Sequence, residues 1–227
     1  MKCILEAKDV SYSYRNKYQT INAVQHVTCA FDKGRFYAIV GRSGSGKTTF
    51  LSLLAGLDLP DQGEIYVDGS AMSSLNRDKY RREMTSVVFQ SFNLFPLLTA
   101  LENVMFPMEL RGKSKKEAAK TAKQLISEVG LSEKIWQQRP LMMSGGEQQR
   151  VAIARALAVG GKIMLADEPT GNLDANNGDK VADLLKTMAR ERDYAVIIIT
   201  HNEELARLAD VVYTMDDGKL NAGGSEG

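Results

Sequence analysis

An α/β fold with a mostly parallel core sheet is what this sequence predicts, and three observations carry the expectation. Residues 36–40, 163–166 and 196–199 are short runs of apolar, often β-branched side chains. These runs are continuous rather than alternating, as strands covered on both faces require. Segments of helical periodicity lie between them, and alternation of strand with helix points to parallel pairing.

Taken in order, the run 36–40 delivers a glycine-rich loop, and a helix over 49–55 is expected to follow and to close at Gly56. The strand 86–89 leads into residues 92–158, which hold helical patterns and no convincing strand. That stretch reads as a helical subdomain inserted in one domain of 1–227. Within it, Ala118, Ala122, Leu125, Ile126 and Val129 share one face of a helix over 116–129, with Gly130 as its C-cap. The opposite face, Lys116, Glu117, Lys120, Lys123 and Glu128, reads as solvated. The tail 221–227 reads as a frayed end.

Bulk properties narrow the function. A chain of 227 residues suits one large domain or a core with an inserted subdomain. With 29 Lys plus Arg against 28 Asp plus Glu, the net charge of +1 lacks the basic excess of a nucleic-acid binder. Cys3 and Cys29 have neither metal-ligand spacing nor a disulfide framework. Residues 1–6 run into a charged segment and do not read as a signal peptide. The charge-free stretch 85–101 is shorter than the ~20 residues a bilayer span needs, and Gln90, Asn93 and Pro96 interrupt it. No membrane crossing is expected.

The loop Gly41-Arg42-Ser43-Gly44-Ser45-Gly46-Lys47-Thr48 fits the Walker A pattern GxxxxGK[ST]. A chance match in this length is roughly one in a hundred. Glycines let several N–H groups converge on one anion, and the helix N-terminus adds its positive end. Lys47 is expected to reach the β- and γ-phosphates, and Thr48 to ligate Mg²⁺. A plain Gly-Ser surface turn is the alternative, and the strand before and helix after the loop argue against it. The chain is therefore expected to have a P-loop NTPase core that binds a nucleotide.

A metal ligand and a base come from the next strand. Residues 163–166 end in Asp167 and Glu168, the first placed to hold Mg²⁺ and the second to polarise an attacking water. An ordinary acidic loop is the other reading of Asp-Glu alone. His201 ends the run at 196–200. A histidine there is often a satisfied polar group, but strand order puts it beside the nucleotide, to sense the γ-phosphate or position the water.

One more motif decides among nucleotide-binding classes. Residues 143–150, Met-Ser-Gly-Gly-Glu-Gln-Gln-Arg, resemble the ABC signature LSGGQ, with Met143 for Leu and Glu147 for Gln. A Ser-Gly-Gly turn opening a helix makes a second anion-binding end. Around it, Gln90 matches the Q-loop, Asn172-Leu173-Asp174 the D-loop, and His201 the switch histidine. Tyr14 matches the aromatic that stacks on adenine, with Tyr12 as runner-up. The sequence thus resembles ABC ATP-binding cassettes from Tyr14 to His201.

That resemblance implies an N-terminal antiparallel β portion and a head-to-tail dimer. Its shared sites hold ATP and Mg²⁺ between two copies. It implies nucleotide contacts from Tyr14, Gly41, Ser43, Gly44, Ser45, Gly46, Lys47, Thr48 and Thr49 on one copy, and from Ser144, Gly145, Gly146 and Asp174 on the other. Thr48, Gln90 and Asp167 are the implied metal ligands, and Glu168, His201 and Gln90 the catalytic residues. Residues 101–104 and 167–174 look like the branch that serves lipoprotein release, macrolide export and antimicrobial-peptide resistance. Runs 78–82 and 91–96 are most similar to its antimicrobial-peptide members.

Membership would place the chain at the cytoplasmic face of a membrane, held by separate permease subunits with four helices and a large extracytoplasmic domain. Export or force transmission is the expected role. A regulatory ATPase that moves no substrate is the alternative. A soluble repair or translation ATPase fits less well, since those carry coiled coils or duplicated cassettes. The apolar stretch 92–98 either packs the inserted subdomain or forms a groove for a helix of the membrane subunit.

Overall fold

The computed structural model describes residues 3–222. Among them, β1 (Cys3–Arg15) and β2 (Thr20–Asp32) form a long antiparallel hairpin. Asn16 sets its turn, its side-chain oxygen accepting from the N–H groups of Tyr18 and Gln19 at 2.8 and 2.9 Å. Next come β3 (Phe36–Val40) and α1 (Lys47–Leu54). β4 (Gln62–Val67) then returns to pair with β1, and β5 (Ser70–Ala71) completes an antiparallel sheet of order β2-β1-β4-β5.

The chain continues through α2 (Arg77–Glu83) and β6 (Thr85–Val88). Three helices, α3 (Ala100–Leu110), α4 (Lys115–Glu128) and α5 (Gly145–Ala158), precede β7 (Ile163–Asp167). Then follow α6 (Ala175–Arg192), β8 (Ala195–Ile199), α7 (Glu203–Arg207) and the hairpin β9 (Val211–Asp216) to β10 (Lys219–Ala222). The second sheet has the order β10-β9-β3-β8-β7-β6, and every pairing in it is parallel except β9 with β10.

Continuous apolar runs suit this architecture because both faces of the parallel sheet are covered. Phe36, Ala38, Met164, Ala166, Val196 and Ile198 face one core, shared with α3, α4, α5 and α6. Their neighbours Tyr37, Ile39, Ile163, Leu165, Ile197 and Ile199 face the other, with Phe50, Leu53 and Leu54 of α1 and the inner side of the antiparallel sheet. So α1 lies between two sheets, which fixes the direction of its N-terminus.

Element ends differ from the sequence expectation for local reasons. α1 starts at Lys47 rather than Thr49, because Gly46 holds a left-handed φ of 101° and the helical turn begins right after it. β6 stops at Val88, one residue short of Phe89, and β8 stops at Ile199 before Thr200. Asn221 and Ala222 are not frayed: they pair with Thr214 and Tyr213 in the terminal hairpin. The remainder of that tail, 223–227, lies outside the described residues, as do the first two residues of 1–6.

Three helices begin alike. In α3, α4 and α5 the side chains of Thr99, Ser114 and Ser144 accept from the N–H groups of Glu102, Glu117 and Glu147, whose carboxylates reach back. Each is a capping box, and S/T-x-x-E is its sequence mark.

Ile197, fully buried in the middle of β8, tests how much the sheet's packing contributes. Ile197→Ala is expected to lower the unfolding free energy by about 2–5 kcal/mol in a denaturant titration.

Candidate active site

Four parallel strands end on one edge of the second sheet, and each delivers a side chain singled out by the sequence. β3 runs into the loop Gly41–Thr48, β6 leads to Gln90, β7 ends at Asp167 with Glu168 next, and β8 leads to His201. In open α/β sheets the carboxyl edge is where ligands bind. A cleft of about 560 Å³ opens there, lined by Gly41, Ser43, Gly44, Gly46, Lys47, Thr48, Thr49, Gln90, Asp167, Glu168 and His201.

The loop is seated by close backbone contact. A Cβ on Gly41 would lie 2.1 Å from the carbonyl oxygen of Met215, and one on Gly46 would lie 2.0 Å from that of Ala23. No larger residue fits either place. Gly218 N–H also donates to the Ser45 carbonyl at 3.0 Å. Lys47 is largely buried, and its Nζ donates to the carbonyls of Gly41 and Arg42 at 2.8 Å each. Burial draws its pKa below the ordinary value, while Glu168 and Asp167 pull it back up. Neither a side-chain cap nor an acidic residue occupies the first turn of α1, so its leading N–H groups are free for an anion.

The acidic side is as tightly arranged. Thr48 Oγ1 donates to Asp167 Oδ2 at 3.2 Å. Burial raises the Asp167 pKa, the Thr48 hydrogen bond and Lys47 oppose the rise, and the neighbouring charge of Glu168 adds to it. Glu168 sits at φ 46°, a backbone state that costs a non-glycine residue roughly 1–3 kcal/mol. Its N–H donates to the Ile199 carbonyl, and its carboxylate accepts from His201 Nδ1 at 2.8 Å and from the His201 N–H at 3.3 Å. The histidine therefore orients the carboxylate.

Tyr14 lines the cleft mouth with half its surface exposed and its hydroxyl 3.3 Å from Thr49 Oγ1. Tyr12 lies behind it, edge-on at 5.2 Å. Gln90 turns its amide towards Asn172 Oδ1 at 3.2 Å, and Asn172 Nδ2 returns a bond to the Gln90 carbonyl at 3.0 Å.

Ser144, Gly145, Gly146 and Asp174 are absent from this cleft's lining. Ser144 caps α5 and Asp174 caps α6, where its oxygens accept from the N–H and side chain of Asn177 at 3.0 and 2.7 Å. Those two bonds hold the Asp174 carboxyl below its ordinary pKa. A Cβ on Gly146 would come within 2.5 Å of Asn177, so the two helix starts abut. One chain thus carries a phosphate-type loop on one surface and a second helix-start motif elsewhere.

The family model described as ABC transporter matches residues 24–171. The chain belongs to the ABC transporter family.

As an ABC ATP-binding subunit it has full-length relatives. It is 42% identical to the uncharacterised ABC transporter ATP-binding protein YclH of Bacillus subtilis, covering 96% of this chain and 95% of that one. It is 40% identical to the lipoprotein-releasing system ATP-binding protein LolD of Saccharophagus degradans, over 97% and 98% of the two chains. The cassette MJ0796 of Methanocaldococcus jannaschii superposes with a TM-score of 0.91 at 38% identity, covering 99% of this chain and all of that one. MJ0796 is known as a dimer and as a post-hydrolysis dimer bound to ADP and Pi. Membership makes the chain an ATPase cassette.

In this ABC cassette, further cleft residues escaped the sequence reading. Ile21, Asn22 and Ala23 of β2 and Asp217 and Gly218 of the last hairpin all line it. No motif marks them.

The donor set also fits Mg²⁺. A hydroxyl and a carboxylate oxygen meet at the cleft floor in Thr48 and Asp167, and no group of three or more His, Cys, Asp or Glu that could hold a metal occurs among the described residues. Magnesium is usually held by one or two protein oxygens, with phosphate and water completing its shell.

Asp167 has a pH signature. Because its folded pKa is raised, folding is disfavoured by its charge once pH rises above its ordinary 3.8. Asp167→Asn is therefore expected to raise Tm at neutral pH in the nucleotide-free protein. The gain should vanish as pH falls below that value, where the wild-type group is neutral as well.

Proposed function

We propose that this cassette is the ATP-hydrolysing motor of an export or force-transmitting complex, working as a head-to-tail dimer on separate membrane subunits. The observation that carries the reading is the division of the motifs. The loop, Asp167, Glu168 and His201 share one cleft, while Ser144, Gly145 and Gly146 open a helix outside it. A second copy, reversed, would bring its Ser144–Gly146 turn and Asp174 over the nucleotide held here. The dimers of MJ0796 support that arrangement.

In the proposed reaction Lys47 and the α1 N–H groups hold the β- and γ-phosphates, and Tyr14 stacks on the base. Thr48 and Asp167, with Gln90 once released from Asn172, would hold Mg²⁺, which neutralises phosphate charge. Glu168, oriented by His201, takes a proton from water as its oxygen attacks the γ-phosphorus, and ADP leaves.

The complex is proposed to sit at the cytoplasmic face of a membrane. No helix among the described residues is long and apolar enough to cross one, so the span would come from permease subunits with four helices and a large extracytoplasmic domain. The lipoprotein-releasing relative supports this branch. A groove of about 400 Å³ between α2, β6, α3 and α5 is the proposed seat for a membrane-subunit helix. Phe95, Phe106, Pro107 and Leu110 form its apolar wall, with Arg81 and Arg82 on the rim. Phe95 packs on Phe106 at 4.6 Å yet stays 40% exposed.

Two variants test the reading. Glu168→Gln is expected to bind ATP, lose at least about 100-fold in turnover and accumulate as a dimer in size-exclusion chromatography with ATP. Turnover near the wild-type rate would remove the base assignment. Phe95→Ala should leave the isolated subunit's ATPase intact and abolish the change in ATPase rate on binding the membrane partner. A lowered Tm with coupling retained would make Phe95 a packing residue instead. Material co-purifying with tagged Glu168→Gln and ATP from solubilised membranes identifies the partner.

A further inference from the structure

Helix α5 begins at the signature turn, and its first two turns hold a polar residue that the mechanism above does not use. Gln149 is completely buried. Its Nε2 donates to the carbonyl of Pro169 at 2.7 Å, and its Oε1 meets no donor among the described residues. A buried amide with an unmet oxygen is a poor packing residue, since leaving a polar atom unpaired outweighs the net gain of one hydrogen bond. An apolar side chain of the same volume would fill the space at lower cost. What the glutamine adds is a fixed point on the chain.

That fixed point directly follows Glu168. Pro169 has no N–H of its own to anchor it and locks its own φ, so its carbonyl is the handle by which a neighbouring helix can hold this residue. Glu168 occupies a left-handed conformation at φ 46°, which persists only where neighbours impose it. On one side the constraint is the Glu168 N–H bond to Ile199. On the other it is the Gly171 N–H, which donates to the Glu168 carbonyl at 3.0 Å, and Gln149 on the carbonyl one residue on.

We infer that Gln149 is a positioning residue for hydrolysis, tying the helix that starts at Ser144 to the turn that presents Glu168. The inference rests on Glu168 being the base. It adds a direction of coupling. The N-terminus of α5 is the part proposed to meet nucleotide in the opposite site, so a shift of α5 on engaging that nucleotide reaches this chain's own carboxylate through one hydrogen bond. Arg155, further along the same helix, donates to the carbonyls of Asn93 and Phe92 at 2.6 and 3.1 Å, so α5 also grips the segment that follows Gln90.

The test is a double-mutant comparison on the full chain with ATP and Mg²⁺. Gln149→Met keeps the volume and removes the donor. It is expected to lower kcat about 10- to 100-fold, the loss a small misplacement of a reacting group produces, with KM for ATP within about twofold. In a Glu168→Gln background, slow hydrolysis followed over hours should be unchanged by the added Gln149→Met, because the carboxylate it positions is gone. Gln149→Asn, which keeps the amide but draws it back by one methylene, should repeat the loss and serves if the methionine variant folds poorly. An unchanged kcat in both variants overturns the inference. So does an equal fold-loss in the two backgrounds, or a KM that rises in step, since each marks a general structural defect. Near-normal turnover in Glu168→Gln alone would instead overturn the base assignment, and is read before Gln149 is altered.

Discussion

Two close approaches of backbone to backbone govern the active edge. Gly41 lies against the Met215 carbonyl and Gly46 against that of Ala23, and between them the loop is forced to present N–H groups rather than side chains. The seated loop also supplies the Gly41 and Arg42 carbonyls to which Lys47 donates. The electrostatics follow from the same geometry. A largely buried ammonium, a carboxyl disfavoured by burial and a second carboxylate are held within one cleft, a charge set that is uncomfortable alone. Such a charge set suits a site that receives the phosphates of a nucleotide.

Much of this was legible from sequence because phosphate chemistry narrows residue choice. Glycines that permit a tight turn, a lysine and a hydroxyl at fixed spacing cannot easily be replaced, so Gly41 to Thr48 announces itself. The continuous runs at 36–40, 163–166 and 196–199 were readable for a different reason: a strand covered on both faces has no polar side to show. The helices after β6 were visible as periodicity. Their boxes at Thr99, Ser114 and Ser144 could have been read as well, since each has its glutamate three residues on.

What stayed hidden is contact made by backbone or over long separation. Asp217 and Gly218 reach the cleft because β9 pairs with β3, and nothing in those two residues hints at a nucleotide. The reciprocal bonds between Gln90 and Asn172 join positions 82 residues apart. The left-handed turn at Glu168 looks, in one dimension, like any strand end. Glu147 is a case between: it departs from the usual signature glutamine, and the fold shows it closing on Ser144 through both backbone and hydroxyl.

The terminal hairpin carries one more consequence, for synthesis rather than catalysis. The Walker loop is made well before the residues that seat it, since Met215 and Gly218 come far later in the chain. Strand β3 likewise waits for β8 and β9 on both sides. A nascent chain therefore carries the nucleotide motif long before it can seat it, and one that stops short of Met215 never acquires the seat. The seat of the loop is thus complete only once the chain has been made at least as far as the turn at Gly218.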